Sequence, residues 1–149
     1  MVYGKYLILL NITSMRGSCH AHDTMPRTMT AQTPTDSLAM LRARLAAFAD
    51  ERDWSQFHNP KNLAMALAAE AGEIIEHFQW LTPEQAANLA PETRDAVALE
   101  CADVLLFLIR LADRLDIDLV AAANRKMDIN AGRYPVEKAR GRAAKYDKL

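Results

Sequence analysis

Two pairs of carboxylates occur at the same spacing in two separate apolar stretches of the chain. Glu70 and Glu73 lie in the stretch LAAEAGEIIEHFQW, and 26 residues separate this pair from the next. Glu100 and Asp103 form the second pair, close to Val97 and Val104 in the sequence. Residues three apart share one face of an α-helix, so each pair projects from a single helix face. Carboxylates on an apolar face lose hydration and repel one another, so they need a partner.

Divalent cations are the partner that this pattern favours. Protonation or a buried base would also relieve the repulsion, but Arg110 falls at the edge of its helix face. Oxygen ligands without cysteine favour Mg²⁺, with Mn²⁺ as a possible substitute. A di-iron site fits less well, because it requires Glu-x-x-His on two helices. His77 follows Glu73 by four residues, and the second stretch has no histidine. The alternative is that these acids are ordinary charges at the solvent margin of their helices.

Helical periodicity and capping residues predict the elements that hold the two pairs. Leu38, Leu41, Leu45 and Phe48 recur at spacings of three and four, which is typical of a helix. Capping and terminating residues then give the other boundaries. The first predicted helix begins near Ser37, and the second is capped by Asn59, with Pro60 next, and runs to about Trp80. A short helix restarts at Thr82, and a long one runs from about Glu92 to Leu115. The last is capped by Asp116 or Asp118 and runs to about Asn130, where Gly132 and Pro135 end it.

The predicted fold class is therefore all-α, with four substantial helices in a four-helix-bundle-like subunit. Half of the 149 residues are hydrophobic and only 5 are glycine, which suits helices. We expect three segments. Residues 1–35, rich in Thr, Ser, Met and Pro, are predicted to be a disordered extension, with Met25 or Met29 as alternative starts; residues 36–132 are the all-α domain, and residues 133–149 are a basic tail.

Charge and cysteine content narrow the classes of partner and compartment. Between Glu70 and Asp128 there are 12 acidic and 5 basic residues, a net charge of −7, which disfavours binding to a nucleic-acid polymer. Two cysteines, Cys19 and Cys101, do not indicate a disulfide framework, and a cytoplasmic location is expected. No apolar run is long enough for a membrane span. The N-terminal MVYGKYLILL is faintly like a signal peptide but no small-residue cleavage site follows it.

Three separated motifs resemble a known family. The first carboxylate pair followed by E-x-x-D is similar to the signature of the MazG-like all-α nucleoside triphosphate pyrophosphohydrolases. FADERDWSQFHNPKNL, GEIIEHFQW and KMDINAGRYP are more closely similar to the dCTP pyrophosphatase branch of that superfamily. The likeness extends over about residues 38–147. It implies an α-helical subunit that assembles as a homo-oligomer, a dimer or a tetramer.

The resemblance also implies roles for individual residues. It assigns Mg²⁺ binding and catalysis to Glu70, Glu73, Glu100 and Asp103. It assigns contacts with the nucleotide to Trp54, Ser55, Gln56, Phe57, His58, Trp80 and Phe107, and contacts with phosphate, sugar or base to Lys126 and Asn130. Two positions depart from the animal enzymes, where Ala46 corresponds to a histidine and Phe107 to a tyrosine. These departures leave the base preference open.

The residues themselves support part of this assignment. Phe107 lies one turn beyond Asp103, and an aromatic ring beside a metal site can stack on a base. The alternative is that these aromatic residues belong to the core. Lys126 and Asn130 are four apart and share a helix face, so they can contact one triphosphate, but a surface lysine with no such role is equally compatible. Leu105 and Ile109, opposite Glu100, are expected to form a second apolar face that another subunit covers.

The expected activity is Mg²⁺-dependent hydrolysis of a deoxynucleoside triphosphate, most simply dCTP or a modified dCTP, to the monophosphate and pyrophosphate. Such an enzyme would cleanse the nucleotide pool. Metal-assisted attack of water on the α-phosphorus requires no Ser, Cys or His nucleophile, and Glu73 and Glu76 are the candidate bases. Two alternatives remain, a pyrophosphohydrolase for another nucleotide such as dUTP and a non-catalytic acidic helical module that docks a basic partner.

Overall fold

A computed structural model describes residues 37–149 of the chain. The predicted disordered extension, the signal-like segment, Cys19 and the alternative starts therefore lie outside the described residues. The chain divides into two units, Met1–Met40 and Leu41–Leu149. The packing and contacts reported below all lie within the second unit.

The described part of the chain is helical and contains no strand, which confirms the all-α prediction. Four long helices and two short ones follow one another, with a final 3₁₀ turn. They are α1 (Ser37–Asp50), α2 (Pro60–Phe78), α3 (Pro83–Ala87), α4 (Pro91–Arg114), α5 (Leu119–Arg133) and α6 (Val136–Ala139), with the 3₁₀ turn at Tyr146–Lys148. The tail is thus partly helical, and its Tyr134 and Tyr146 rings meet edge to face with 6.1 Å between their centroids.

Side-chain caps begin three of these helices where the sequence predicts them. The Asn59 side chain accepts a hydrogen bond from the backbone N–H of Asn62, at the start of α2. Thr82 forms a complete capping box with Gln85 at the start of α3. Asp118, and not Asp116, caps α5. Each cap satisfies a backbone donor that the first helical turn would otherwise leave without an acceptor.

Two predicted helix ends differ from the structure. Helix α2 ends at Phe78, so Trp80 lies beyond it and not within it. Helix α5 continues past Asn130 and through Gly132 to Arg133, so the prediction that Gly132 terminates it is wrong. The backbone N–H of Tyr134 still bonds to the carbonyl of Asn130 over 2.9 Å, which extends the helix. Glycine permits a left-handed terminus but does not impose one.

Helices α2 and α4 pack against each other and form the centre of the subunit. Leu63 of α2 and Ile109 of α4 are buried, as is Ala49 near the end of α1. The expectation for the second apolar face of α4 is therefore only half correct. Leu105 is 41% exposed, but Ile109 belongs to the core. The packing of α2 on α4 brings the two carboxylate stretches side by side.

Over residues 37–149, none of the helices combines the length and the apolar character that crossing a bilayer requires.

Candidate metal and nucleotide site

Three carboxylates from the two central helices converge at one place. Glu70 projects from α2, and Glu100 and Asp103 project from α4. One carboxylate oxygen of each lies within 4.8 Å of the others. Glu70 is almost fully buried, and the other two are half-buried. Glu70 is therefore not a charge at the solvent margin, and Glu100 and Asp103 are partly shielded from solvent.

The electrostatics of Asp103 reflect this crowding. Burial raises the pKa of the Asp103 carboxyl above its usual value of 3.8, and the negative charge of Glu73 raises it further. Both effects disfavour the ionised form of the side chain. A cation held by the cluster would reverse them, since it favours the ionised carboxylate.

The three carboxylates fit a hard divalent cation. Mg²⁺ binds oxygen ligands at about 2.1 Å in an octahedron, so neighbouring ligands lie about 3.0 Å apart. One oxygen from each of the three carboxylates already lies within 4.8 Å of the others, so side-chain rotation would bring them to one ion. Glu73 is exposed and lies outside this group of three, although its charge acts on Asp103. Glu76 is also exposed on the flank of α2.

The segment Trp54–His58 forms a compact turn between α1 and α2. The amides of Phe57 and His58 both bond to the carbonyl of Trp54, and the Trp54 amide bonds to the carbonyl of Ala49. The Trp54 ring meets the His58 ring edge to face, with 6.5 Å between centroids. Phe57 is 45% exposed. This segment therefore has both a buried side and a side that faces solvent.

A buried arginine holds the inner side of this segment. Arg110 is 6% exposed, so its placement at the helix edge in the sequence analysis is wrong. Its Nε donates to Nδ1 of His58 over 3.2 Å, and its Nη2 donates to Oγ of Ser55 over 2.9 Å. Its Nη1 forms an ion pair of 2.8 Å with Asp113, one turn further along α4. Ser55 in turn donates to Asp50 over 2.5 Å.

The roles of Arg110 and Asp113 in this assembly could not be found from the sequence. The one local signal is their spacing of three residues, which places the two side chains on neighbouring positions of a helix surface. Nothing in the sequence relates either residue to Ser55, since a separation of 55 residues along the chain carries no periodic signature.

The remaining predicted nucleotide contacts lie on several elements. Trp80 follows the end of α2 and is 86% exposed, while Phe107 is half-buried on α4. Lys126 is exposed and Asn130 is half-buried, both on α5. Gln56 is exposed, and its side-chain amide donates to the carboxylate of Asp53 over 2.7 Å. The roles of these side chains stay predictions.

Comparison with known proteins identifies the family. The model of the MazG-like family matches residues 65–149, which include all four predicted metal ligands. The chain belongs to the MazG-like family. The resemblance stated from the sequence motifs is thereby confirmed. The segment Trp54–His58 precedes the part that this MazG-like model matches.

Individual relatives are similar to the chain over a longer stretch. Human dCTP pyrophosphatase 1 is 42% identical over 137 residues, which cover 91% of this chain and 81% of the human protein. The rat protein of the same name is 46% identical over 118 residues, covering 78% of this chain and 69% of the relative. A crystal structure of a pyrophosphatase from Archaeoglobus fulgidus aligns with a TM-score of 0.64 at 31% identity, covering 79% of this chain and 99% of that one.

Proposed function

We propose that this protein hydrolyses dCTP, or a dCTP modified on the base, to the monophosphate and pyrophosphate. The observation that carries the proposal is the convergence of Glu70, Glu100 and Asp103 from two packed helices. It occurs in a chain that is 42% identical to a dCTP pyrophosphatase over most of its length. The relatives named above are pyrophosphatases, which favours an enzyme over a non-catalytic module that docks a basic partner.

The metal in this proposal is Mg²⁺, with Mn²⁺ as a substitute. Glu70, Glu100 and Asp103 would hold it, and Glu73 would complete the set by turning toward Asp103. When bound, a divalent cation supplies charge that neutralises phosphate oxygens and lowers the pKa of a water molecule. The four carboxylates hold no hydrogen-bond donors when ionised, so their direct contacts with a triphosphate would be repulsive without that charge.

The reaction requires an oxygen nucleophile from water and a base that accepts its proton. The new bond joins the water oxygen to the α-phosphorus, and the bond from that phosphorus to the bridging oxygen of the β-phosphate breaks. Pyrophosphate leaves with the electron pair of that bond. Glu73 and Glu76 are both exposed on α2, and the charge of Glu73 acts on Asp103 of the cluster. In this proposal one carboxylate oxygen of Glu73 would face the cation and the other would accept the proton, while Glu76 would stay in solvent.

The base and sugar would contact aromatic residues near the carboxylate cluster. Phe57, Trp80 and Phe107 offer ring faces, and stacking of a base on an aromatic ring contributes about 1–3 kcal/mol. Lys126 and Asn130 lie four apart on α5 and would contact phosphate and sugar. The resemblance places Ala46 and Phe107 where the animal enzymes have a histidine and a tyrosine, so the base preference stays open in this proposal.

Parallel assays with dCTP, dTTP, dUTP and ATP at equal concentrations test the substrate. We expect pyrophosphate release to be fastest with dCTP and to stop when a chelator removes the cation. ATP as the best substrate would contradict a role in cleansing the deoxynucleotide pool, and dUTP as the best would reassign the base.

Glu70→Gln tests the metal centre. We expect it to abolish turnover while the helical circular dichroism signal stays unchanged, because the substitution conserves shape and removes one anionic ligand. Glu84→Gln, at an exposed position in the first turn of α3, is the matched control and should remain active. Full activity of Glu70→Gln at saturating Mg²⁺ would refute the metal-centre proposal.

Three further features belong to the same proposal. The protein would act on free nucleotides and not on a nucleic-acid polymer, as its acidic central helices suggest. It would reside in the cytoplasm, where Cys101, which is free and exposed, would remain reduced. It would assemble as a homo-oligomer, because Ile75 of α2 and Leu99 of α4 are large apolar side chains that one subunit leaves exposed.

A further inference from the structure

Arg110 joins the carboxylate helix to the turn that precedes α2. It follows Asp103 by seven residues, so the two share one face of α4 and lie about 10 Å apart along the helix axis. Phe107 lies between them on that face. The guanidinium reaches from α4 to the turn and contacts both Ser55 and His58. The Arg110 side chain thus holds the turn at a fixed place relative to the metal-binding face of α4.

The contacts of Arg110 determine which side of the turn faces outward. Ser55 and His58 are held on the inner side, and the two residues between them, Gln56 and Phe57, are exposed. The Asn62 side-chain amide donates to the carbonyl of Phe57 over 3.0 Å, which fixes the backbone on the other side. The Phe57 ring therefore projects from a turn whose neighbouring residues are both constrained.

Arginine is suited to this arrangement by its shape. Its planar guanidinium presents donors in a fixed fork, and here Nε, Nη1 and Nη2 each contact a different residue. A lysine ammonium at the same place has the charge but not the fork. Burying a charge solely for stability is inefficient, since well-packed apolar residues often replace buried ion pairs without loss. A role in fixing geometry accounts for the retained polar contacts.

We propose that Arg110 is a positioning residue for nucleotide binding, which holds the Trp54–His58 turn so that it receives the base end of the substrate. This inference rests on the proposed function, because it takes the bound molecule to be a nucleoside triphosphate. Arg110 contacts neither the base nor the phosphates in this scheme. It acts through Ser55 and His58, and it leaves the metal-binding carboxylates in place.

Arg110→Met and Arg110→Lys test the proposal, with Arg94→Met as the control at an exposed position of the same helix. The readouts are KM and kcat for dCTP, and inhibition of dCTP hydrolysis by inorganic triphosphate, which has the phosphates but no base. We expect both Arg110 variants to raise KM by roughly tenfold, the effect of losing one charge-assisted contact in the bound geometry. We expect kcat and the inhibition constant of inorganic triphosphate to stay near their wild-type values.

A purely structural role predicts a different result, in which kcat and inhibition by inorganic triphosphate change together with KM. That result, or an unchanged KM in Arg110→Met, would overturn the inference. If Arg110→Met does not fold, Asp113→Asn carries the test, because it weakens the ion pair that orients the guanidinium and should raise KM by a smaller factor. An inactive wild-type protein would refute the proposed function. An active wild type whose Arg110 variants keep the wild-type KM would refute only the role of Arg110.

Discussion

The Nε atom of Arg110 donates a hydrogen bond of 3.2 Å to Nδ1 of His58, and both side chains are buried. Because Arg110 has only donors, Nδ1 must be the acceptor, and the proton of the neutral imidazole is then on Nε2. Burial lowers the pKa of His58 below its usual 6.5, the positive charges of Arg110 and Arg114 lower it further, and Asp50 opposes them. The folded protein therefore resists protonation of this ring.

This relationship predicts that stability falls as the solution becomes mildly acidic. Below pH 6.5 the unfolded chain binds a proton at His58 that the folded protein rejects. The contribution of His58 is complete above pH 6.5 and is lost as the pH falls through the lower pKa of the folded state. Urea unfolding at pH values on both sides of 6.5 measures it. His58→Asn, which does not titrate, should show a flatter dependence, and an equal slope in both proteins would contradict the prediction.

Removal of one charge from the carboxylate cluster should stabilise the metal-free protein. The pKa of Asp103 is raised by burial and by Glu73, so its ionised form at neutral pH opposes folding. In the presence of a chelator, we expect Asp103→Asn to melt at a higher temperature than the wild type. Asp95→Asn, at an exposed position of the same helix, is the control and should change little. A lower melting temperature for Asp103→Asn would show that the cluster is not repulsive.

Mg²⁺ should reverse the order of the two melting temperatures, so that the wild type melts above Asp103→Asn. A ligand that binds only the folded state stabilises it by about 2.7 kcal/mol when its free concentration is about 100 times Kd. We expect the melting temperature of the wild type to rise with Mg²⁺ and that of Asp103→Asn to rise much less, while turnover of the variant falls by about 100-fold or more. Equal metal-induced shifts in both proteins would place the cation elsewhere.

The exposed Trp80 ring should matter for substrate and not for the fold. Since Trp80 is 86% exposed, Trp80→Ala removes little packing and should leave the melting temperature almost unchanged. Loss of a stacking contact of about 1–3 kcal/mol should raise KM for dCTP by roughly 5- to 150-fold. Tyr146→Ala, an exposed aromatic residue of the tail, is the control. An unaffected KM in Trp80→Ala would remove this residue from the base site.

A charge on the exposed apolar face of α2 or α4 should dissociate the predicted oligomer. We expect the wild type to sediment as a dimer or tetramer, and Ile75→Glu or Leu99→Glu to shift it toward a monomer, because an unpaired charge in an interface loses its hydration. Val136→Glu is the control, since Val136 is about equally exposed but lies in the tail. A monomeric wild type at micromolar concentration would contradict the prediction.

Local signals in the sequence predicted the helices, and one of them, a carboxylate spacing, also predicted part of the cluster. The caps at Asn59, Thr82 and Asp118 act within one helical turn, so their residue types suffice to locate helix starts. The spacing of Glu100 and Asp103 likewise places both on one face of α4. The prediction that Gly132 ends α5 was wrong, because the effect of a glycine depends on whether the following residues continue the helix. The environment of Arg110 could not be predicted, since it results from the packing of a helix on a distant turn.

The separation of Arg110 from Ser55 also has a consequence for the order of events during synthesis. A ribosome has synthesised the Trp54–His58 turn and all of α2 before it joins Arg110 to the chain. The guanidinium contacts close a loop of 55 residues, and the entropy of closing it is offset only once α4 has packed on α2. The Arg110 contacts therefore cannot constrain the turn until α4 has been synthesised and has packed on α2. A nascent chain that stops short of Arg110 would carry the aromatic residues of the turn without the contacts that orient them.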